Sequence, residues 1–313
     1  MRAQKLAELV RLGSETEASV SGRFELPGGV RTVDVQVGRE GRSARVDGKP
    51  VRDPDELFGG LATVAFTPED LAVVKEGPDA RRRLLDRAVL NRHPSHLRDS
   101  RDYLRALRSR NHLLRQRAAP DLLGSFDEPL VRLGARIRQR RAEVLAELQP
   151  HARKAFAEVA RGEAALEMRP SADDTSEQAL RAELEKRLPR DLDRGFTSVG
   201  PHADELGISI GDRPARLYAS QGQSRAVVLA FKIGEIENLR RAQGRAPLLL
   251  LDDVSSELDP ERNAFLMTYL AALEGQVVLT TTDPHLVSKS AAQEALFHRV
   301  SAGRIGPADL PKI

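Results

Sequence analysis

Leu248-Leu249-Leu250-Leu251-Asp252-Asp253 is the stretch on which the fold turns. Four consecutive apolar residues predict a short strand buried on both faces, as in a parallel sheet covered by helices. Two carboxylates stand where that strand ends. Acids in that place are how nucleotide hydrolases hold Mg²⁺ and position water. Asp252 is therefore a candidate metal ligand, and Asp253 a candidate for activating the attacking water. The competing reading is a polar loop that merely begins with acids. The following Ser255-Ser256-Glu257-Leu258-Asp259 weighs against it.

Downstream, Asp259 caps a predicted helix over 260–273, with Pro260 in its first turn. A strand over 276–280 ends in Thr280-Thr281-Thr282-Asp283. Hydroxyls and a carboxylate there are suited to sensing a γ-phosphate; capping of a helix near Pro284 explains Asp283 equally well. Upstream, Ser220-Gln221-Gly222-Gln223-Ser224 opens a predicted helix over 223–241. Backbone N–H groups at such a start attract phosphate. The short motif is weak alone and gains from its order and spacing with Asp252 and Asp259. Strand patterns also fall near 206–210 and 216–219. Alternating strands and helices of these lengths predict an α/β fold with a mainly parallel sheet.

The amino-terminal part reads differently. Residues 18–50 alternate in the strand manner, with turns at Gly28-Gly29 and Asp47-Gly48. This predicts a small antiparallel sheet, followed by a strand over 61–66 and a helix start at Thr67-Pro68. Asp79 is the predicted cap of the next helix. Helical spacing then dominates to about residue 160, broken at Pro120 and Pro129, with a further short helix over 176–188. The expected organisation is three segments: 1–78 as the first part of a head with its small β-sheet, 79–195 as an inserted helical lobe, and 196–313 as the rest of the head.

Charge and composition narrow the partners. The formal net charge is +3, and arginines crowd 81–141. Arg81, Arg82, Arg105, Arg108, Arg110 and Arg115 are candidate contacts to a DNA backbone; a solvated helix surface with interspersed acids is the alternative. There is no cysteine, which excludes disulfides and thiolate metal sites. No apolar run reaches membrane-spanning length and no long apolar leader core is evident, so a cytoplasmic protein without membrane contact is expected. His202 and Asp204 suit either a metal cluster or a structured turn. His93, His96 and His112 are expected on helix surfaces or facing DNA.

Taken in order, these motifs resemble the RecF family of bacterial recombination and repair proteins. Ser220–Ser224 resembles the ATP-binding-cassette signature, 248–253 the Walker B strand, 255–259 the D-loop and 280–283 the switch region. Residues 200–206 resemble the family's G-P-H-R-D-[DE]-L, with Ala203 where Arg is usual. Residues 66–71 and 77–85 resemble its F-x-P-E-D-L and R-R-R stretches. The resemblance covers essentially the whole chain. It implies an ABC-type ATPase head, with a P-loop NTPase sheet, and an inserted α-helical lobe. It implies ATP and Mg²⁺ as cofactors, with slow hydrolysis closing a homodimer. Ser220, Gln221, Gly222, Gln223, Asp259, Thr282 and Asp283 would then serve the nucleotide, Asp252 the Mg²⁺ and Asp253 hydrolysis. The implied partners are double-stranded and gapped DNA and, through RecO and RecR, the RecA recombinase, with support of SOS induction.

One departure stands against this. The 313 residues contain no G-x-x-x-x-G-K-[ST]. The family's first strand and Walker A loop precede the part this chain matches. Gly48-Lys49-Pro50 lacks the Ser or Thr for Mg²⁺ and lies in a β-turn. Without the amide cradle and lysine the phosphates lose their main holders. This polypeptide alone is expected to bind neither ATP nor Mg²⁺ tightly. A misplaced start or fragment is one explanation. The other is a degenerate paralogue serving only as a DNA- or partner-binding module. A transporter-type cassette is a further reading, against which the helical insertion speaks.

Overall fold

The computed structural model describes residues 6–11, 17–38, 41–160, 164–287 and 295–307. The alternating amino-terminal stretch forms an antiparallel meander of β1 (Ala18–Leu26), β2 (Gly29–Val37), β3 (Arg42–Val46) and β4 (Lys49–Pro50), paired in that order. Asp47 and Gly48 join β3 to β4 with φ of 51° and 76°. Both are left-handed, which is why a short polar residue and a glycine stand there. After α1 (Pro54–Phe58) come β5 (Thr63–Phe66) and α2 (Pro68–Ala72). Asp70 accepts from the Thr67 amide at 3.2 Å, closing the start of α2.

Helices follow: α3 (Pro78–Arg92), α4 (His96–Arg115) and α5 (Pro120–Ala160). Gly77, not Asp79, is the cap of α3, so Asp79 lies in its first turn. Pro120 opens α5 instead of breaking a helix, and Pro129 and Pro150 both lie inside its 41 residues. An interior proline costs about 3 kcal/mol of helix stability. Here the flanking turns bury Leu130, Val131, Ile137, Leu145 and Leu148, and that packing carries the helix through both prolines.

Next are β6 (Leu166–Pro170), α6 (Glu177–Arg194), β7 (Leu206–Ile210), β8 (Arg213–Pro214) and α7 (Ala215–Tyr218). The strand expected over 216–219 is thus a helical turn. Lys75 Nζ donates to the carbonyls of Ala215, Arg216 and Ala219 at its end, an interaction from far along the chain. β6 has no counterpart in the sequence reading. It pairs antiparallel with β7 and buries Leu166 and Met168 on alternate positions.

The chain closes with α8 (Gln221–Gln243), β9 (Leu248–Asp252), α9 (Val254–Glu257), α10 (Pro260–Ala271), β10 (Val277–Thr280), β11 (His298–Ser301) and β12 (Arg304–Pro307). β9 runs parallel between β10 and β5. Leu249, Leu251, Val64 and Phe66 form its buried face and join Leu229, Ile233 and Ile236 of α8 in the main core. The other face is open: Leu250 is 38% exposed and Val278 47%. The second half of α5 packs along α8 in the same core, whereas its first half joins Tyr103, Leu107, Leu180 and Leu184 in a separate cluster. One long helix therefore links the head to the helical layer. Among the described residues, no helix is long and apolar enough to cross a membrane.

Candidate functional site

The strand-end acids and the threonine run meet. β9 and β10 are parallel and in register, with Asp252 opposite Thr280, so both motifs emerge at the carboxyl edge of the sheet. Open α/β sheets bind ligands at that edge. Thr280 Oγ1 donates to Asp252 Oδ1 at 2.7 Å. The Asp253 amide donates to the Thr280 carbonyl at 3.0 Å, and the Thr282 amide reaches Asp253 Oδ1 at 3.4 Å. Asp253 has φ 49°, a left-handed conformation that turns the chain sharply into α9. Two carboxylates and a hydroxyl form an all-oxygen donor set. That chemistry suits Mg²⁺, which takes one or two carboxylates and completes its shell with water and phosphate. Among the described residues there is no group of three or more His, Asp or Glu arranged for a metal.

The Ser220 corner is a capping box. Ser220 Oγ accepts from the Gln223 amide (3.1 Å), and Gln223 Oε1 accepts from the Ser220 amide (2.9 Å). Gln221 and Gly222 form the first turn of α8 between them. A Cβ added to Gly222 would lie 3.2 Å from the Arg262 guanidinium, so this turn sits against the start of α10. Arg225 reaches Glu257 at 3.4 Å across the same seam. Asp259 caps α10 by accepting from the Arg262 amide at 3.1 Å and also pairs with the Arg262 guanidinium. Burial pushes the Asp259 carboxyl up, but these two interactions hold it below its ordinary value. The Ser220 corner and the Glu257–Asp259 turn are therefore one unit. Asp283 Oδ1 accepts from the His285 amide at 3.0 Å, so it caps the turn at Pro284. None of the hydrogen bonds among the described residues joins Ser220–Gln223 to Asp252 or Asp253 within the chain.

The arginines divide sharply. Arg105, Arg108 and Arg115 stay exposed on α4, Arg105 with only an adjacent-turn partner in Asp102. Arg82 is largely buried and bonds the Asp204 carbonyl and Asp79. Arg81 and Arg110 are corrections to the DNA-contact expectation. Arg81 is 3% exposed and grips Glu205 with two nitrogens, at 2.8 and 2.9 Å. Arg110 is fully buried between Asp127 (2.6 Å), Asp191 (3.4 Å) and Thr197 Oγ1 (2.8 Å). Buried cations need such partners, and once paired they offer nothing to a phosphate backbone.

The histidines divide likewise. His96 is buried against Asp86 at 3.1 Å, not on a helix surface. His202 places one ring nitrogen 2.7 Å from the Tyr103 hydroxyl and the other 2.9 Å from the Thr197 carbonyl. Burial lowers its pKa, and Asp204 is spent on Arg138 at 2.8 Å. The pair belongs to a structured turn. The sequence reading passed over Arg187, Arg190 and Arg194 of α6. They are exposed on one helix and line a pocket together with Phe196. Their spacing of three and four residues was the available signal.

No family model matches the chain. Among curated proteins, it is 53% identical over 318 residues to DNA replication and repair protein RecF of Myxococcus xanthus, covering 97% of this chain and 83% of that protein. It is 51% identical to the RecF protein of Anaeromyxobacter dehalogenans strain 2CP-C, over 98% of this chain and 86% of that one. Its fold superposes with a TM-score of 0.84 on a solved structure of the recombination mediator protein RecF–ATPrS in the RecFOR pathway, at 30% identity and covering 98% of this chain and 84% of that one. An SmcHead bound to the C-winged helix domain of ScpA shares the fold at 15% identity and TM-score 0.52 over 100% of this chain and 82% of its own. The chain has an α/β fold and belongs to the RecF family of DNA replication and repair proteins.

Proposed function

We propose that the chain works in the cytoplasm as an ATP-gated DNA-binding protein of recombinational repair. It recognises gapped duplex DNA and, with RecO and RecR, helps to load RecA. The observation that carries the reading is the meeting of Asp252, Asp253 and Thr280–Thr282 at the carboxyl edge of a parallel sheet.

In this reading Asp252 holds Mg²⁺, fixed in orientation by the Thr280 hydroxyl, and Asp253 orients water. ATP with Mg²⁺, when bound, supplies the charge that two copies share. Ser220 and Gly222 of a second copy face that charge, and Asp259 relays between the two sites. That no hydrogen bond among the described residues ties the Ser220 corner to the acids of its own chain is compatible with such a division between copies. Neither cofactor is held tightly by these 313 residues alone, because they contain no phosphate-cradling loop with its lysine.

The test compares this polypeptide with a version preceded by a strand and phosphate-cradling loop of the kind the family resemblance implies. Binding to gapped duplex, with and without ATP, is followed by fluorescence anisotropy. Both should prefer gapped over blunt duplex, and only the extended version should gain affinity with ATP. Equal affinity for gapped and blunt duplex in both versions would remove the reading. Micromolar ATP affinity in the shorter chain would contradict the statement on cofactors. The second reading is a DNA- or partner-binding module without ATP. An extended version that stays indifferent to ATP would establish it.

A further inference from the structure

Of the six arginines that the sequence reading offered to nucleic acid, Arg81, Arg82, Arg105 and Arg110 pair with carboxylates, whereas Arg108 and Arg115 on α4, and three further arginines on α6, do not. Arg187, Arg190 and Arg194 are exposed, and among the described residues none makes an ion pair or hydrogen bond. Together with Phe196, Ser198 and His202 they line a pocket of about 350 Å³. That volume lies in the range of small-ligand sites, about 300–1,000 Å³. Phe196 is 44% exposed. The Ser198 hydroxyl is shielded from water and has no hydrogen-bond partner.

The lining residues that follow α6 are fixed by hydrogen bonds. Gly195 ends α6 in the left-handed conformation (φ 72°), and the chain turns there so that Phe196 follows. Asp191 Oδ1 accepts from the Ser198 amide at 3.1 Å, and Arg110 neutralises its other oxygen. Asn111 holds both the amide and the hydroxyl of Thr197, at 2.8 and 2.7 Å. His202 is fixed between Tyr103 and Thr197. Two acids of this region are already matched, Asp191 by Arg110 and Asp204 by Arg138, whereas Asp193, exposed in the last turn of α6, has no ion pair among the described residues. A cation in the last turn of a helix favours its dipole, which accounts for Arg194. It does not account for Arg187 two turns back, for the exposed ring or for the spare hydroxyl.

Three unpaired guanidinium groups beside an exposed aromatic ring match a phosphate and a base in one nucleotide. The base must have a free face, because a stacked duplex hides it. We propose that this pocket binds an unstacked nucleotide of single-stranded DNA, with its phosphate on Arg187, Arg190 and Arg194 and its base against Phe196. The inference rests on the DNA-binding reading above and adds to it the place where a single strand would be held.

Anisotropy of the full 313-residue chain with fluorescein-labelled oligothymidylate and with blunt duplex tests it. Phe196→Ala should weaken oligothymidylate binding by roughly tenfold, the scale of a single base–aromatic stack, and leave duplex binding unchanged. Arg190→Ala with Arg194→Ala should lower the slope of log K against log salt by about 0.7 for each phosphate no longer neutralised, and Arg→Lys at both sites should restore the slope. Thymidine monophosphate should displace the oligomer at concentrations where inorganic phosphate does not. Unchanged oligomer binding in these variants, equal weakening of duplex and single strand, or equal displacement by inorganic phosphate would overturn the pocket assignment alone. A wild-type chain that binds neither DNA would overturn the DNA-binding reading with it.

Discussion

Asp253 occupies a backbone conformation that costs most side chains about 1–2 kcal/mol, and Asp tolerates it through local hydrogen bonds. Asp253→Ala should therefore be less stable than Asp253→Gly by about 1 kcal/mol in urea unfolding, although both remove the same carboxylate. Equal stabilities would mean that the turn into α9 does not depend on that φ. A larger effect belongs to Arg110. Removing its guanidinium strands Asp191, which is fully buried, with no cation beside it. Arg110→Ala should cost about 3–5 kcal/mol. Arg105→Ala, at an exposed i,i+3 pair, should stay within about 0.5 kcal/mol of wild type. Both arginines look alike in the sequence, and only the carboxylates that Arg110 meets from far along the chain separate them.

The pairing of α5 with α8 depends on one glycine. A Cβ at Gly234 would stand 2.9 Å from the Leu148 carbonyl oxygen and 3.1 Å from Ala152 Cβ. A backbone oxygen cannot step aside as a flexible side chain can. Gly234→Ala should then destabilise the protein by about 1–3 kcal/mol, against the gain of a few tenths to one expected from helix propensity alone. A rise in melting temperature would show that the helices have room to move apart. Element types were legible wherever periodicity was strong: β1 to β3, α8, β9 and α10 follow from alternation, helical spacing and caps. α5 was not legible as one helix, because Pro129 is a local stop signal that packing overrides. α7 was misread because its conformation is fastened by Lys75, remote in sequence.

Asp86 ties three helices together. From α3 it meets His96 of α4 at 3.1 Å and Arg141 of α5 at 2.8 and 2.9 Å. Burial alone would raise its pKa; the hydrogen bonds and charges of His96 and Arg141 outweigh that and bring it down to about 2. A carboxylate whose pKa is lower folded than unfolded adds stability above its unfolded value. That stability drains away as pH falls towards the folded value. Stability of the whole protein should therefore decline between about pH 4 and pH 2, and Asp86→Asn should flatten that decline. The readout is the denaturant midpoint at several pH values. The same slope in both proteins would assign the acid sensitivity to other carboxylates.

The linear order of residues was enough to name the fold class and to single out the acids, the signature corner and the threonine run. Those signals are local: an apolar run ending in carboxylates, a cap three residues from its partner, a strand of known parity. It was also enough to expect arginines near DNA, but not to say which ones. Arg81 finds Glu205 across 124 positions and Arg110 finds Asp191 across 81, and nothing near either arginine announces the partner. Folding consumes those charges in burying them and leaves Arg187, Arg190 and Arg194 at the surface beside Phe196. Which cations remain free is a property of long-range packing, because a buried charge must be matched and an exposed one need not be.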